Sequence, residues 1–163
     1  QYKMATLAGG CFWCTEAIFQ RLKGVTSVIS GYTGGSDDNT SYEKVSGGKT
    51  GHAEAIQVTF DPSIISYKTL LEVFFKLHDP TTMNQQGADV GTQYRSVIFY
   101  HSEEQKKLAE DYKAKLDKSK KYKNKIVTDI ISAGAFYKAE DYHQLYLKKN
   151  PGGYCHVDLS NIE

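Results

Sequence analysis

The chain is predicted to fold as an α+β protein, a two-layer sandwich of helices on a sheet, and three features lead there. Segments alternating apolar and polar residues are interleaved with segments of helical period, so strands and helices both occur. The loops between them are long, unlike the short crossovers of a regularly wound parallel sheet. No Gly-rich phosphate fingerprint follows a strand, which leaves a dinucleotide-binding fold without support. At 163 residues the chain is long enough for one substantial core and short for two. Residues 1–163 are therefore expected to form a single domain.

Lys3 to Ala8 reads as a short strand, and Phe12 to Leu22 as a helix with Ala17, Ile18, Phe19 and Leu22 on its apolar side. Val25 to Tyr32 is the second strand. Gly31 to Gly51 holds six glycines among Asp, Asn, Ser and Thr, and a loop of that length is expected to hold function. His52 to Phe60 returns to strand. Ser66 to Leu77 forms an apolar helix that Ser66 can cap and Asp79-Pro80 stops. A second loop, Thr81 to Gly91, leads into the strand Gln93 to His101. Ser102 and Gln105 have capping-box spacing and open a charged helix running to about Lys121. Ile126 to Ile131 is the last clear strand, and Lys138 to Lys149 reads as a short helix. From Asn150 onward a Pro- and Gly-containing tail carries Cys155.

Charge narrows the function classes. The 20 Lys and Arg against 19 Asp and Glu leave a formal +1, so no global field selects nucleic acid or a membrane as partner. The Lys-rich stretch from Lys113 to Lys125 lacks the aromatic or Gly-rich company of a nucleic-acid motif and reads as a solvated helix face. No apolar run is long enough for a membrane span, and Gln1 to Leu7 lacks a signal-peptide core. Gln1 is not an initiator Met, which is consistent with an upstream segment lost before it. The three cysteines are an odd number in a chain with an ample core, so their use is chemical rather than structural, and a reducing, cytoplasmic setting is expected. The 12 tyrosines against one Trp supply many phenols, each needing a partner when buried.

Gly9-Gly10-Cys11-Phe12-Trp13-Cys14 places a thiol after a flexible Gly pair, at the predicted start of a helix. Unpaired N–H groups and partial positive charge at a helix N-terminus favour thiolate over thiol, so Cys11 is a candidate nucleophile. Phe12 and Trp13 are hard to bury together in a first turn, so they are candidate walls of an apolar pocket beside the sulfur. Against this stands a buried structural Cys with core aromatics.

His52 to Phe60 alternates with period two, which puts Glu54 on one face with Ile56, Val58 and Phe60. A carboxyl group held on that apolar face is poorly solvated, and its charged form is disfavoured. Glu54 is thus a candidate proton donor beside the Gly-rich loop. The competing reading is an edge Glu that reaches water or pairs with a Lys. Tyr42 in the first loop, with Asp89 and Tyr94 around the end of the second, lies in segments able to converge on the same place. Phenol hydroxyls there can donate to a polarised oxygen without carrying charge.

Together these residues resemble the A-type peptide-methionine sulfoxide reductases, which act on the S epimer at sulfur. The resemblance covers nearly the whole chain and rests on five motifs in order: Gly10 to Trp13, Gly51 to Ala55, Gly91 to Ser96, Ala139 to Gln144 and Asn150 to Cys155. It implies that Cys11 attacks the sulfoxide sulfur and that Phe12 and Trp13 house the substrate methyl. It further implies that Glu54, Tyr42 and Tyr94 bind and protonate the oxygen, with Asp89 at the substrate site, no cofactor, and a ferredoxin-like core with long active-site loops. Oxygen transfer would leave a sulfenic acid on Cys11, which condenses with a second thiol. The resemblance names Cys155 as resolver and thioredoxin or a similar dithiol as reductant; a compact monomer is the default expectation for a chain of this size.

The chain departs from the commonest family pattern at Cys14, where many relatives carry Gly. Cys11 and Cys14 are three apart on the predicted helix, so Cys14 is an alternative resolver or a relay from Cys155. The order is left open. Three rival readings remain: a Cys-x-x-Cys thiol-disulfide oxidoreductase, in which Glu54 would be dispensable, a structural zinc site from Cys11, Cys14, Cys155 and either His143 or His156, and a cysteine hydrolase with His52 as base, although a His beside Glu54 in sequence says nothing about contact with Cys11.

Overall fold

A computed structural model of the chain describes residues 2–9, 12–34, 52–77, 80–81, 85–86, 89–90, 94–119, 126–134, 136–139 and 144, with residues 13, 14, 77, 85, 86, 89 and 90 described by backbone alone. Its elements in chain order are β1 (Lys3–Gly9), α1 (Phe12–Gln20), β2 (Val25–Thr33), β3 (Ala53–Phe60), α2 (Tyr67–Leu77), β4 (Gln85–Gln86), β5 (Asp89–Val90), β6 (Ser96–Tyr100), α3 (Glu103–Ser119), β7 (Asp129–Ser132) and β8 (Phe136–Lys138). Six strands form one sheet in the order β7-β6-β1-β3-β2-β8, and β4 pairs β5 separately. The sheet is mixed: β6–β7 is parallel and the other pairs are antiparallel. The fold is α+β, as predicted.

Period-two alternation divides the sheet into two faces. Ala5 and Leu7 of β1, Val28 and Tyr32 of β2, and Ile56, Val58 and Phe60 of β3 join Ile18 and Phe19 of α1, Leu70, Leu71 and Phe74 of α2 and Ala109 of α3 in one core. Each fully buried aliphatic or Phe side chain there contributes about 1.5–3 kcal/mol of transfer free energy. The other face carries a smaller cluster of Ala8, Ala53, Ala55, Val97 and Phe99, to which no described helix contributes.

The predicted caps form. Ser66 Oγ accepts from the Thr69 N–H at 3.1 Å at the start of α2. Ser102 Oγ accepts from the Gln105 N–H at 3.2 Å at the start of α3. Gln105 reaches back one residue further than a capping box requires: its Oε1 accepts from the His101 N–H at 2.9 Å, and its Nε2 donates to the Met4 carbonyl at 2.8 Å, tying α3 to β1.

Several boundaries differ from expectation. The first helix ends at Gln20 rather than Leu22, because the Arg21 and Leu22 N–H groups bond the carbonyls of Ile18 and Phe19, a tightened turn that Gly24 leaves at φ 99°. Strand β6 starts at Ser96 rather than Gln93, since its partner β1 ends where Gly9 pairs Ser96. Strand β7 covers Asp129–Ser132 rather than Ile126 to Ile131. Ahead of it the Val127 N–H bonds the Pro80 carbonyl at 2.7 Å instead of β6. The helix expected from Lys138 is corrected at its first residues: Lys138 pairs Gly31 in β8, and the Ala139 N–H continues onto the Ser30 carbonyl at 2.9 Å. A strand this short leaves no periodic signal; the edge of β2 supplies its partner. Gly31 makes that pairing possible, because a Cβ there would sit 2.5 Å from both the Phe136 ring and the Tyr137 carbonyl oxygen. Of the rest of that predicted helix, residue 144 is described, as a turn.

Among the described residues no helix is long and apolar enough to cross a membrane.

Candidate active site

One end of the sheet brings together two of the predicted residues, Phe12 and Glu54. Strand β1 stops at Gly9 and α1 begins at Phe12, while β3 enters from the neighbouring position at Ala53. In the β2–β3 ladder Tyr32 lies directly opposite Glu54, and in the β2–β8 ladder Tyr32 lies opposite Tyr137. Residues facing each other across a ladder share a sheet face, so these three side chains are on the helix-covered side.

Glu54 is 1% exposed, on the same side of β3 as Ile56, Val58 and Phe60, as the alternation predicted. Its Oε1 accepts a hydrogen bond from the Phe12 N–H at 3.3 Å. That N–H belongs to the first turn of α1, whose unpaired donors and dipole create positive potential. The carboxyl group and the peptide that follows Cys11 are thus held together by a contact spanning 42 residues of sequence. Phe12 is completely buried, and its ring centroid lies 5.6 Å from that of Tyr32 at 43°. The Thr15 hydroxyl donates back to the Phe12 carbonyl at 3.2 Å, bracing the first turn from within.

The other predicted residues are distributed as follows. Trp13 and Cys14 continue the backbone of α1 after Phe12. Asp89 lies in β5, with Gln86 as its ladder partner. Tyr94 is half-buried, in a single helical turn just ahead of β6. Beside it, burial lowers the pKa of the Arg95 guanidinium while Asp129 opposes that shift. Cys11, Tyr42 and Cys155 lie outside the described residues, as do His143 and His156 of the zinc reading. Among the described residues no three His, Cys, Asp or Glu side chains gather as a metal site.

Sequence reasoning assigns no role in the reaction to four residues that the fold brings here. Tyr32 was read only as the end of a strand, yet it is 1% exposed and touches the Phe12 ring. His52 is buried with its ring edge-on to Tyr137 at 5.4 Å and 69°. Tyr137 arrives on the short strand that the pattern did not reveal. Glu16 is a second buried carboxyl group, one turn along α1 from Phe12. For Glu16 the available signal was its spacing of four from Phe12, which places both on one side of the helix.

Known proteins resemble the chain over nearly its full length. The family model described as peptide methionine sulfoxide reductase matches residues 3–163. The peptide methionine sulfoxide reductase MsrA of Sulfolobus acidocaldarius is 56% identical over 158 residues, covering 94% of this chain and 86% of that relative. Among solved structures, reduced Mxr1 from Saccharomyces cerevisiae superposes with a TM-score of 0.90 at 41% identity, covering 97% of this chain and 92% of that one. Mxr1 solved in complex with Trx2 matches with a TM-score of 0.58 at 31% identity, over 90% of this chain and 85% of that one.

Proposed function

The chain belongs to the A-type peptide methionine sulfoxide reductases, an oxidoreductase family, and from that membership we propose the course of the reaction on its own residues. The Cys11 thiolate attacks the sulfur of methionine S-sulfoxide, free or in a protein. Glu54 gives a proton to the sulfoxide oxygen, with the Tyr42 and Tyr94 hydroxyls donating hydrogen bonds to it. Phe12 and Trp13 receive the S-methyl group, and Asp89 holds the substrate. The S–O bond breaks as oxygen passes to Cys11. The sulfoxide is reduced by two electrons to methionine and Cys11 is oxidised to a sulfenic acid. A second thiol, Cys155 or Cys14, then attacks that sulfur and releases water, leaving a disulfide. The solved complex of Mxr1 with Trx2 supports a thioredoxin-type dithiol as the reductant that restores both thiols.

The single observation that carries this reading is the 3.3 Å hydrogen bond from the Phe12 N–H to Glu54. Sulfoxide oxygen leaves poorly until protonated, so a thiolate and a neutral acid must act on one S=O bond. A helix N-terminus next to Cys11 favours the first; the same N–H favours the ionised form of Glu54, and burial at 1% exposure among apolar residues opposes it and favours the neutral acid. The central order β6-β1-β3-β2, with α1 and α2 as its connections, supports calling the core ferredoxin-like. We read residues 1–163 as one catalytic domain, active as a monomer in a reducing, cytoplasmic setting, with residues from about 150 as its resolving tail.

The test is a reaction with methionine S-sulfoxide in the absence of reductant, followed by counting methionine and mapping disulfides. Cys11→Ser is expected to form none. Cys155→Ser is expected to form about one equivalent and then stall. Turnover in the Cys11 variant would refute the assignment.

A further inference from the structure

Tyr32 is the largest of the fully buried side chains among the described residues, and nothing in the reaction described above uses it. It stands where three elements meet: across the ladder from Glu54 on β3, across the other ladder from Tyr137 on β8, and against the Phe12 ring of α1. Opposite residues in such a ladder have Cβ atoms about 4.5–5.5 Å apart. The backbone beside it is tied down on both sides. Gln144 accepts from the Ser30 N–H at 3.0 Å and donates to the carbonyls of Ser30 at 2.8 Å and Ala139 at 3.0 Å. Gly31, one residue before Tyr32, admits the Phe136 ring to the strand. Tyr32 is therefore a fixed point, whereas Glu54 reaches the Phe12 N–H through a side chain with several rotatable bonds.

We propose that Tyr32 is a positioning residue for the acid: its ring, held against Phe12 and across the ladder from Glu54, sets the separation between the first turn of α1 and the Glu54 carboxyl group. The proposal rests on the reading of Glu54 as proton donor. Its physical content is that the contact between Phe12 and Glu54 joins two elements far apart in sequence, and a hydrogen bond alone fixes neither the height nor the tilt of a helix over a strand. A packed aromatic pair at the same place fixes both, since ring centroids 5.6 Å apart at a tilted angle allow little sliding without loss of contact. A first turn that drifts by an ångström leaves the carboxyl group without its N–H and misaligned with the sulfoxide, and misplacement of that size costs up to about a hundredfold in rate. Among the described residues the other titratable side chains on this side are Glu16 on α1, His52 just ahead of β3 and Tyr137 on β8, with Tyr67 and Tyr112 in the same core, and their identities are unchanged in the experiment below.

The experiment is a double-mutant cycle on the first turnover with methionine S-sulfoxide, without reductant, across a pH series. Tyr32→Leu is expected to slow methionine formation about tenfold and to displace the pH midpoint of that step, and in the Glu54→Gln background to change the rate less than about twofold. Tyr32→Phe keeps the ring and is expected to restore the rate to within about threefold of the parent. Should Tyr32→Leu not fold, Tyr32→Met, unbranched and more adaptable in packing, is read the same way. Equal losses from Tyr32→Leu in both backgrounds would mean that the ring merely supports the fold, and the positioning role is overturned. A Tyr32→Phe variant as slow as Tyr32→Leu overturns it as well. If Glu54→Gln alone leaves the rate untouched, the acid reading itself fails, and Tyr32 has no acid to position.

Discussion

The N-termini of α2 and α3 differ from that of α1 in where their capping oxygen comes from. Ser66 and Ser102 serve α2 and α3 from within their own first turn, three residues from the N–H each accepts. Helix α1 is preceded by Cys11, whose side chain has no oxygen to offer, and its Phe12 N–H instead meets a carboxyl oxygen 42 residues away. A local hydroxyl satisfies a helix end and does nothing more. A remote carboxyl group, brought in by the sheet, satisfies the end and, on the proposed reading, also puts the acid beside the residue that follows a thiol. On that reading, the helix starts that follow the local rule are structural and the one that departs from it carries the chemistry.

The largest effect that tests this contrast is on Glu54. Replacing it with Gln keeps an oxygen that can accept the Phe12 N–H but removes the proton. The expected outcome is a first-turnover rate reduced by about a hundredfold or more, close to 3 kcal/mol of barrier, with the thermal midpoint nearly unchanged. Calorimetry beside the methionine assay separates the two. If the rate held and only stability moved, α1 would differ from the other helices in nothing but the length of its cap.

Ser102→Ala and Ser66→Ala are the converse experiment. Each is expected to cost about 1 kcal/mol of stability, read from urea midpoints at constant slope, and to leave the first-turnover rate alone. Ser102 is expected to be the costlier of the two, since Gln105, whose N–H it caps, also holds His101 and the Met4 carbonyl in place. A slower reaction in either variant would blur the distinction between structural and chemical helix starts.

This contrast also explains what was legible before any coordinates. Ser66 and Ser102 declare themselves because a cap and its target lie within one turn, and sequence spacing is then spatial spacing. Glu54 could be placed on the helix-facing side of β3 from alternation alone, because the strand is regular through all eight residues. Its partner could not: nothing in the residues around Phe12 indicates which strand will pass its N–H. The same holds for Tyr32, whose role depends on the register of β2 against β3 and β8, and for Tyr137, carried by a strand of three residues. Local periodicity encodes faces, whereas the site is made of register.

The smallest expected effect concerns a buried polar group at the opposite end of β3. Tyr67, the first residue of α2, is 7% exposed beside Phe60, and its hydroxyl has no hydrogen-bond partner among the described residues. Burial holds its phenol pKa well above the ordinary value of about 10. Folding therefore favours the neutral phenol, so this contribution to stability is intact below pH 10 and is lost as pH rises above it, where the unfolded chain ionises first. Tyr67→Phe removes an unsatisfied hydroxyl at nearly constant shape and is expected to be neutral or stabilising by up to ~1 kcal/mol at pH 7. It is also expected to flatten the decline in stability between pH 9 and 11, a window set by the phenol pKa of about 10. Urea titrations at both ends of that range measure it. A marked destabilisation at neutral pH would mean that the hydroxyl is bonded after all. The contrast with Glu54 would then narrow, because both ends of β3 would hold a buried polar group by a partner, and burial by itself would no longer separate the chemical end from the structural one.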